Sequence, residues 1–78
     1  MQITLEYPFE FEGQTIKSLT LRRPIVADNL AVQKAALTDA EREIRLLANL
    51  AEVTPETIHR MDLKDYGKLQ SALASFLS

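Results

Sequence analysis

The amino-acid sequence predicts an α+β fold: an N-terminal two-stranded antiparallel β-hairpin packed on three to four α-helices. Three observations carry this reading. Residues 2–11 alternate cleanly between apolar and polar side chains. Residues 38–53, TDAEREIRLLANLAEV, repeat their apolar positions with a helical period. The closing stretch, LQSALASFL, does the same. At 78 residues the chain makes one domain, with the hairpin at 1–23 and the helical part at 27–78.

In the first strand Ile3, Leu5, Tyr7, Phe9 and Phe11 point one way, while Gln2, Thr4, Glu6, Pro8 and Glu10 point the other. The aromatic set, Tyr7, Phe9 and Phe11, is assigned to the core. Pro8 has no N–H for the ladder, which favours an edge or a mid-strand bulge. Glu12-Gly13-Gln14 supplies the turn, with Gly13 free to take a positive φ. Residues 15–22 return with Leu19 and Leu21 on one face. Ile16 is out of phase with that pair, so a bulge or register change near the turn is expected. Two strands alone are marginal, so the hairpin needs helices against it.

Pro24 ends the second strand and holds Arg23 extended. A helix of sparse, small apolar residues follows over 28–37, with Asp28 or Ala27 near its cap. The central helix opens with a capping box, Thr38 with Glu41. Its apolar positions (Ala40, Ile44, Leu46, Leu47, Ala48, Leu50, Ala51 and Val53) cover roughly 220° at the helical step. A surface helix needs only about 100°. Arg42, Arg45, Asn49 and Glu52 fill the narrow polar strip. Thr54-Pro55-Glu56 restarts the chain into a short helix reaching about Met61, with Ile58 and Met61 on one side. Asp62 and Asp65 open the last helix as capping residues. Leu63, Tyr66, Leu69, Leu73, Phe76 and Leu77 lie within about 140° on it.

Composition excludes much. There is no Cys, so disulfides and thiolate metal sites are ruled out, and one His is too few for a histidine metal site. Nine Lys and Arg against eleven Asp and Glu give a net charge of −2, which offers no general attraction for nucleic acid or an anionic membrane. No apolar run is long enough for a membrane span and no signal segment is visible, so a soluble cytoplasmic protein is expected. Catalysis fails by inventory: the only candidate base is His59, on a short solvated helix, and two distant glycines make no phosphate cradle. No catalytic, cofactor-binding or metal-ligating residue is identified, and no cofactor is expected. Arg22-Arg23 is the only concentrated positive charge. It reads either as a phosphate contact or as a strand end neutralising Glu6, Glu10 or Glu12 across the hairpin.

The apolar surplus on the helices has two readings that the residues leave open. Leu46, Leu50 and Val53 with Leu69, Phe76 and Leu77 pack together as core, or one set forms a groove for a partner helix. In the second reading the partner-binding residues are Leu46, Leu50, Val53, Leu69 and Phe76. Phe76 and Leu77, at a terminal turn that a lone domain buries poorly, also point to a homo-oligomer through the last helix.

Taken whole, the ordered set ITLEYPFEFEG, TIKSLTLRRP, DAEREIRLLANLAEV, TPETIHRMDLKDY and LQSALASFL resembles the small tail assembly chaperones of contractile-tailed phages, the group of tail proteins E, 41 and 14. One departure is Ile25-Val26-Ala27 after Pro24, where that family pattern leads into the helix with small polar residues. The resemblance implies a non-enzymatic factor that binds and solubilises the helical, apolar tape measure protein during tail morphogenesis. Such a factor acts in the host bacterial cytoplasm of an infected or prophage-bearing cell and is not expected in the mature virion. Tail tube protein and a frameshifted longer form of the same chain are further partners that the resemblance implies. The competing reading is a small phage-encoded DNA-binding regulator built from a hairpin and helices.

Overall fold

The computed structural model describes residues 1–33 and 36–78. It contains a two-stranded antiparallel sheet, β1 (Gln2–Phe11) and β2 (Gln14–Thr20), followed by four helices. These are α1 (Val26–Gln33), α2 (Asp39–Ala51), α3 (Pro55–His59) and α4 (Leu63–Leu77). The α+β expectation holds, with the hairpin lying against α4 through β1 and against α2 through β2.

Local chemistry sets the element ends. Glu12 and Gly13 both have positive φ, at 51° and 78°, which is the backbone of a tight type I′ hairpin turn. A side chain at Gly13 would find open space but a strained backbone. The capping box at α2 is complete: the Thr38 hydroxyl accepts from the Glu41 N–H at 3.2 Å, and the Glu41 carboxylate accepts from the Thr38 N–H at 3.2 Å. At the other end Glu52 turns left-handed, with φ 56°. Its N–H and that of Val53 then satisfy the last carbonyls, Val53 donating to Ala48 at 3.0 Å. The Leu50 carbonyl, another end-of-helix orphan, accepts from the Arg22 N–H at 3.0 Å and so ties the end of the hairpin to α2. At α3 Thr54 occupies the cap position and Pro55 the first turn. The Thr54 hydroxyl, however, meets the Thr57 hydroxyl at 3.1 Å and makes no backbone cap.

The strands do not pair evenly. Ile3 faces Leu19 and Thr4 faces Ser18, yet the next partners are Phe9 with Ile16. Leu5 to Pro8 therefore stand opposite Lys17 alone. This break lies on β1 around Pro8, where a missing N–H costs the ladder least. It also resolves the phase conflict at Ile16. Odd-numbered β1 residues pair with odd β2 residues before the break and with even ones after it, so Ile16 and Leu19 both reach the core.

The break leaves the N–H groups of Glu6 and Tyr7 without strand partners, and α4 supplies an acceptor. Asp65, completely buried, accepts from Glu6 N–H at 2.9 Å through Oδ1 and from Tyr7 N–H at 3.0 Å through Oδ2. Lys68 closes the arrangement, its ammonium donating to the Thr4 carbonyl at 3.1 Å and lying 3.4 Å from Asp65. Lys64 pairs with Glu6 at 3.0 Å. Of the two acids expected to cap α4, Asp62 does so, accepting from Lys64 N–H at 2.9 Å, whereas Asp65 reaches across to the strand. Tyr7 is the second correction. Its backbone turns toward Asp65 and the residue is 53% exposed, while Leu5 is buried and Phe9 and Phe11 are half-buried.

The buried cluster draws on Leu19 and Leu21 from the hairpin, Leu47, Ala48 and Leu50 from α2, Ile58 from α3, and Leu69 and Ala72 from α4. A hydrogen bond from the Tyr66 hydroxyl to Glu43, at 2.6 Å, joins α4 to α2 at its edge. Burial pushes the Tyr66 phenol well above its ordinary range, and the hydrogen bond to Glu43 adds to the shift. The helix expected over 28–37 begins earlier, at Val26. Lys34 and Ala35 lie outside the described residues, and Ala36 and Leu37 are not helical.

Replacing Asp65 with Ala strands two part-buried amides, so the melting temperature should fall by about 8 °C or more. Asp65→Asn, which keeps a single acceptor oxygen, should fall between that variant and the wild type. Thermal denaturation by circular dichroism measures both, and hydrogen exchange should show protection lost first at Glu6 and Tyr7.

Candidate functional site

A single aspartate organises the start of α1. Asp28 is the third residue of that helix and is buried; its carboxylate accepts from the Ile25 N–H at 2.8 Å. It also takes a two-pronged contact from the Arg22 guanidinium, at 2.8 and 2.6 Å. A bidentate arginine–carboxylate pair fixes direction as well as distance, so the turn through Pro24 is held in one geometry. Arg22 thus finds its partner in Asp28 and not in the hairpin glutamates, and Glu6 is held by Lys64 and Lys68. The Arg22 hydrogen bonds, with the Ile25 N–H, bring the Asp28 carboxyl down to about 2. Burial raises the Asp65 carboxyl, but the Glu6 and Tyr7 N–H groups and Lys68 outweigh it, and the net shift is downward.

Fixing this turn leaves apolar side chains outside the core. Ile25 and Val26 are 62% and 77% exposed, and Leu77 at the end of α4 is 71% exposed. With Pro24, Asn29, Leu46 of α2 and Leu73 of α4 they line a cleft of about 450 Å³. Three segments far apart in sequence meet here: the start of α1, the middle of α2 and the last turns of α4. Among the described residues, no acidic one lines it. Complete burial of one such Val, Leu or Ile side chain favours association by about 1.5–3 kcal/mol, which gives the cleft an appetite for apolar surface.

The residues expected to bind a partner do not form one patch. Leu46 is half-buried and lines the cleft. Phe76 is half-buried beside it, with the Arg23 guanidinium 6.0 Å from its ring centroid. Val53 lines a different hollow, under the hairpin turn with Phe11 and Ile16. Leu50 and Leu69 are completely buried, packed in the cluster that joins hairpin and helices, and offer no surface to a partner. Both belong to the widest part of the apolar arc on their helices, which faces the hairpin. Sequence reasoning placed Leu77 at a self-association surface of the last helix but did not assign Ile25, Val26 or Leu73 to a binding surface. The available signal was the apolar pair Ile25-Val26 directly after Pro24, where a helix start has no core to face.

A second apolar hollow lies on the other side of α2, lined by Ile44, Ile58, His59, Met61, Leu63 and Tyr66. Leu63, expected on the inner face of α4, is 82% exposed there. Among the described residues, no group of three or more His, Cys, Asp or Glu side chains is placed to hold a metal ion. Nor is any described helix long and apolar enough to cross a membrane.

Compared with known families, residues 2–78 match the model of the phage tail assembly chaperone proteins, E, or 41 or 14. The chain belongs to this family. No curated protein and no solved structure matches it. For this tail assembly chaperone the site of interest is a docking surface for other proteins of tail assembly, and the exposed cleft at the junction of α1, α2 and α4 is the candidate.

Since the folded-state value of Asp28 lies below its ordinary 3.8, its contribution to stability is complete above about pH 4 and disappears as pH falls through about 2. Melting curves collected between about pH 5 and pH 2 should therefore converge for wild type and Asp28→Asn as acid is added. At neutral pH the variant should melt lower, and a constant gap across the whole range would contradict the assignment.

Proposed function

We propose that this chaperone acts as a single unit that binds the tape measure protein during tail morphogenesis, keeps it soluble, and releases it when tail tube subunits enclose it. The reading rests on family membership and on one structural observation, the exposed apolar cleft walled by Ile25, Val26, Leu46, Leu73 and Leu77. A tape measure chain exposes apolar helix until the tube surrounds it. An amphipathic helix laid into an apolar groove hides such surface, with anchors at helical spacing filling the cleft.

The cleft is suited to reversible binding. Ordering and association costs offset much of the gain from a few apolar anchors, so a site this small holds a client without trapping it. Displacement by tube protein then needs only a competing surface of larger area. In this proposal the chaperone works in the host cytoplasm, stays out of the finished virion, and carries out no catalysis. A longer frameshifted form sharing this fold would present the same cleft.

Co-expression with the long protein encoded just downstream tests the proposal. The long protein should be insoluble alone and should elute with the chaperone as a complex of defined stoichiometry. Val26→Asp with Leu77→Asp should fold normally, because both side chains are already exposed, yet lose most of the solubilised client. Equal recovery of soluble client with wild type and double variant would place the contact elsewhere.

A further inference from the structure

Resting on the chaperone reading, the charge around the cleft says something about the client. The protein as a whole is acidic, with a net charge of −2. The cleft does not share that bias. Among the described residues no carboxylate lines it, and Asp28, the acid on α1, is turned inward and engaged by Arg22 and the Ile25 N–H. Arg23 is different from its neighbour. It is exposed, precedes the Pro24-Ile25 wall of the cleft directly, and lies over the ring of Phe76, next to Leu77. Among the described residues no carboxylate pairs with it. The ring orients the guanidinium without neutralising it.

We propose that the cleft selects a client helix whose apolar face is bordered by a carboxylate, and that Arg23 receives that carboxylate. A second copy of this chain fits the same face poorly. A two-fold contact sets the same patch against itself, so Arg23 would meet a cleft whose described lining holds no acid to receive it. An apolar helix bordered by Lys or Arg is disfavoured for the same reason. The charge therefore supplies specificity, while the apolar anchors supply most of the affinity.

The test uses the full chain and two labelled synthetic helical peptides with the same leucine face, one flanked by Glu and one by Lys. Fluorescence anisotropy should show the Glu peptide binding about fivefold tighter or better at low salt. The preference should shrink as salt is raised. Arg23→Glu, at an exposed position that leaves the fold intact by circular dichroism, should reverse the order, and Val26→Asp should weaken both peptides. Equal binding of the two peptides overturns the inference, as does a preference that survives Arg23→Glu, or the absence of any binding. These failures are separable from failure of the chaperone reading. That reading falls if the co-expressed client stays insoluble, whichever peptide the cleft prefers.

Discussion

The fold depends on one carboxylate serving two backbone amides. A hairpin strand with a proline in its middle cannot keep an unbroken ladder, and here the ladder opens from Leu5 to Pro8. The freed N–H groups of Glu6 and Tyr7 need an acceptor, because a polar group taken from water without a partner is expensive. Asp65 supplies both oxygens and is completely buried in doing so. That contact sets where α4 lies along β1. Its position brings Leu69 and Ala72 onto Leu19, Leu21 and Leu47, and it leaves Leu73 and Leu77 beside the start of α1. The core and the cleft are two consequences of the same placement.

Much of this was readable in the residues, because the signals were local. The Thr38–Glu41 box, the positive φ at Gly13 and the proline at the first turn of α3 each involve positions within three or four residues of one another. The alternation of β1 gave the strand but misplaced Tyr7, since period-two reasoning assumes that the ladder continues and Tyr7 lies inside the unpaired stretch, while Leu5, Phe9 and Phe11 on either side keep their face. Asp65 was harder. An acid three residues after Asp62 fits a helix start, and nothing in sequence points to amides 58 and 59 positions away. Among the five residues offered as a binding surface, Leu50 and Leu69 were indistinguishable from Leu46 by periodicity. Which part of a wide apolar arc is covered depends on where the hairpin lands.

Arg22 and Asp28 hold the cleft's first wall in place before any partner arrives. Without that pair, the turn through Pro24 would lose its anchor and Ile25 and Val26 would be free to collapse inward. A wall held by a bidentate ion pair reduces the ordering that binding must otherwise impose. The same device explains why one arginine of Arg22-Arg23 is internally satisfied while the other faces solvent. A small chain of 78 residues with a modest core has little stability to spare, so exposed apolar side chains at a fixed wall call for a role beyond folding. Membership of a family of tail assembly chaperones gives that role its setting.

The most direct measurement is an amide and methyl NMR footprint of the labelled chaperone, recorded as a soluble helical fragment of the proposed tape measure client is added. The account predicts that the signals of Ile25, Val26, Leu46, Leu73 and Leu77 shift or broaden first, and that those of Glu6, Tyr7 and the hairpin turn remain in place. Perturbation centred on the hairpin, or on Leu63 and Met61 across the molecule, with the cleft signals unmoved, would contradict it.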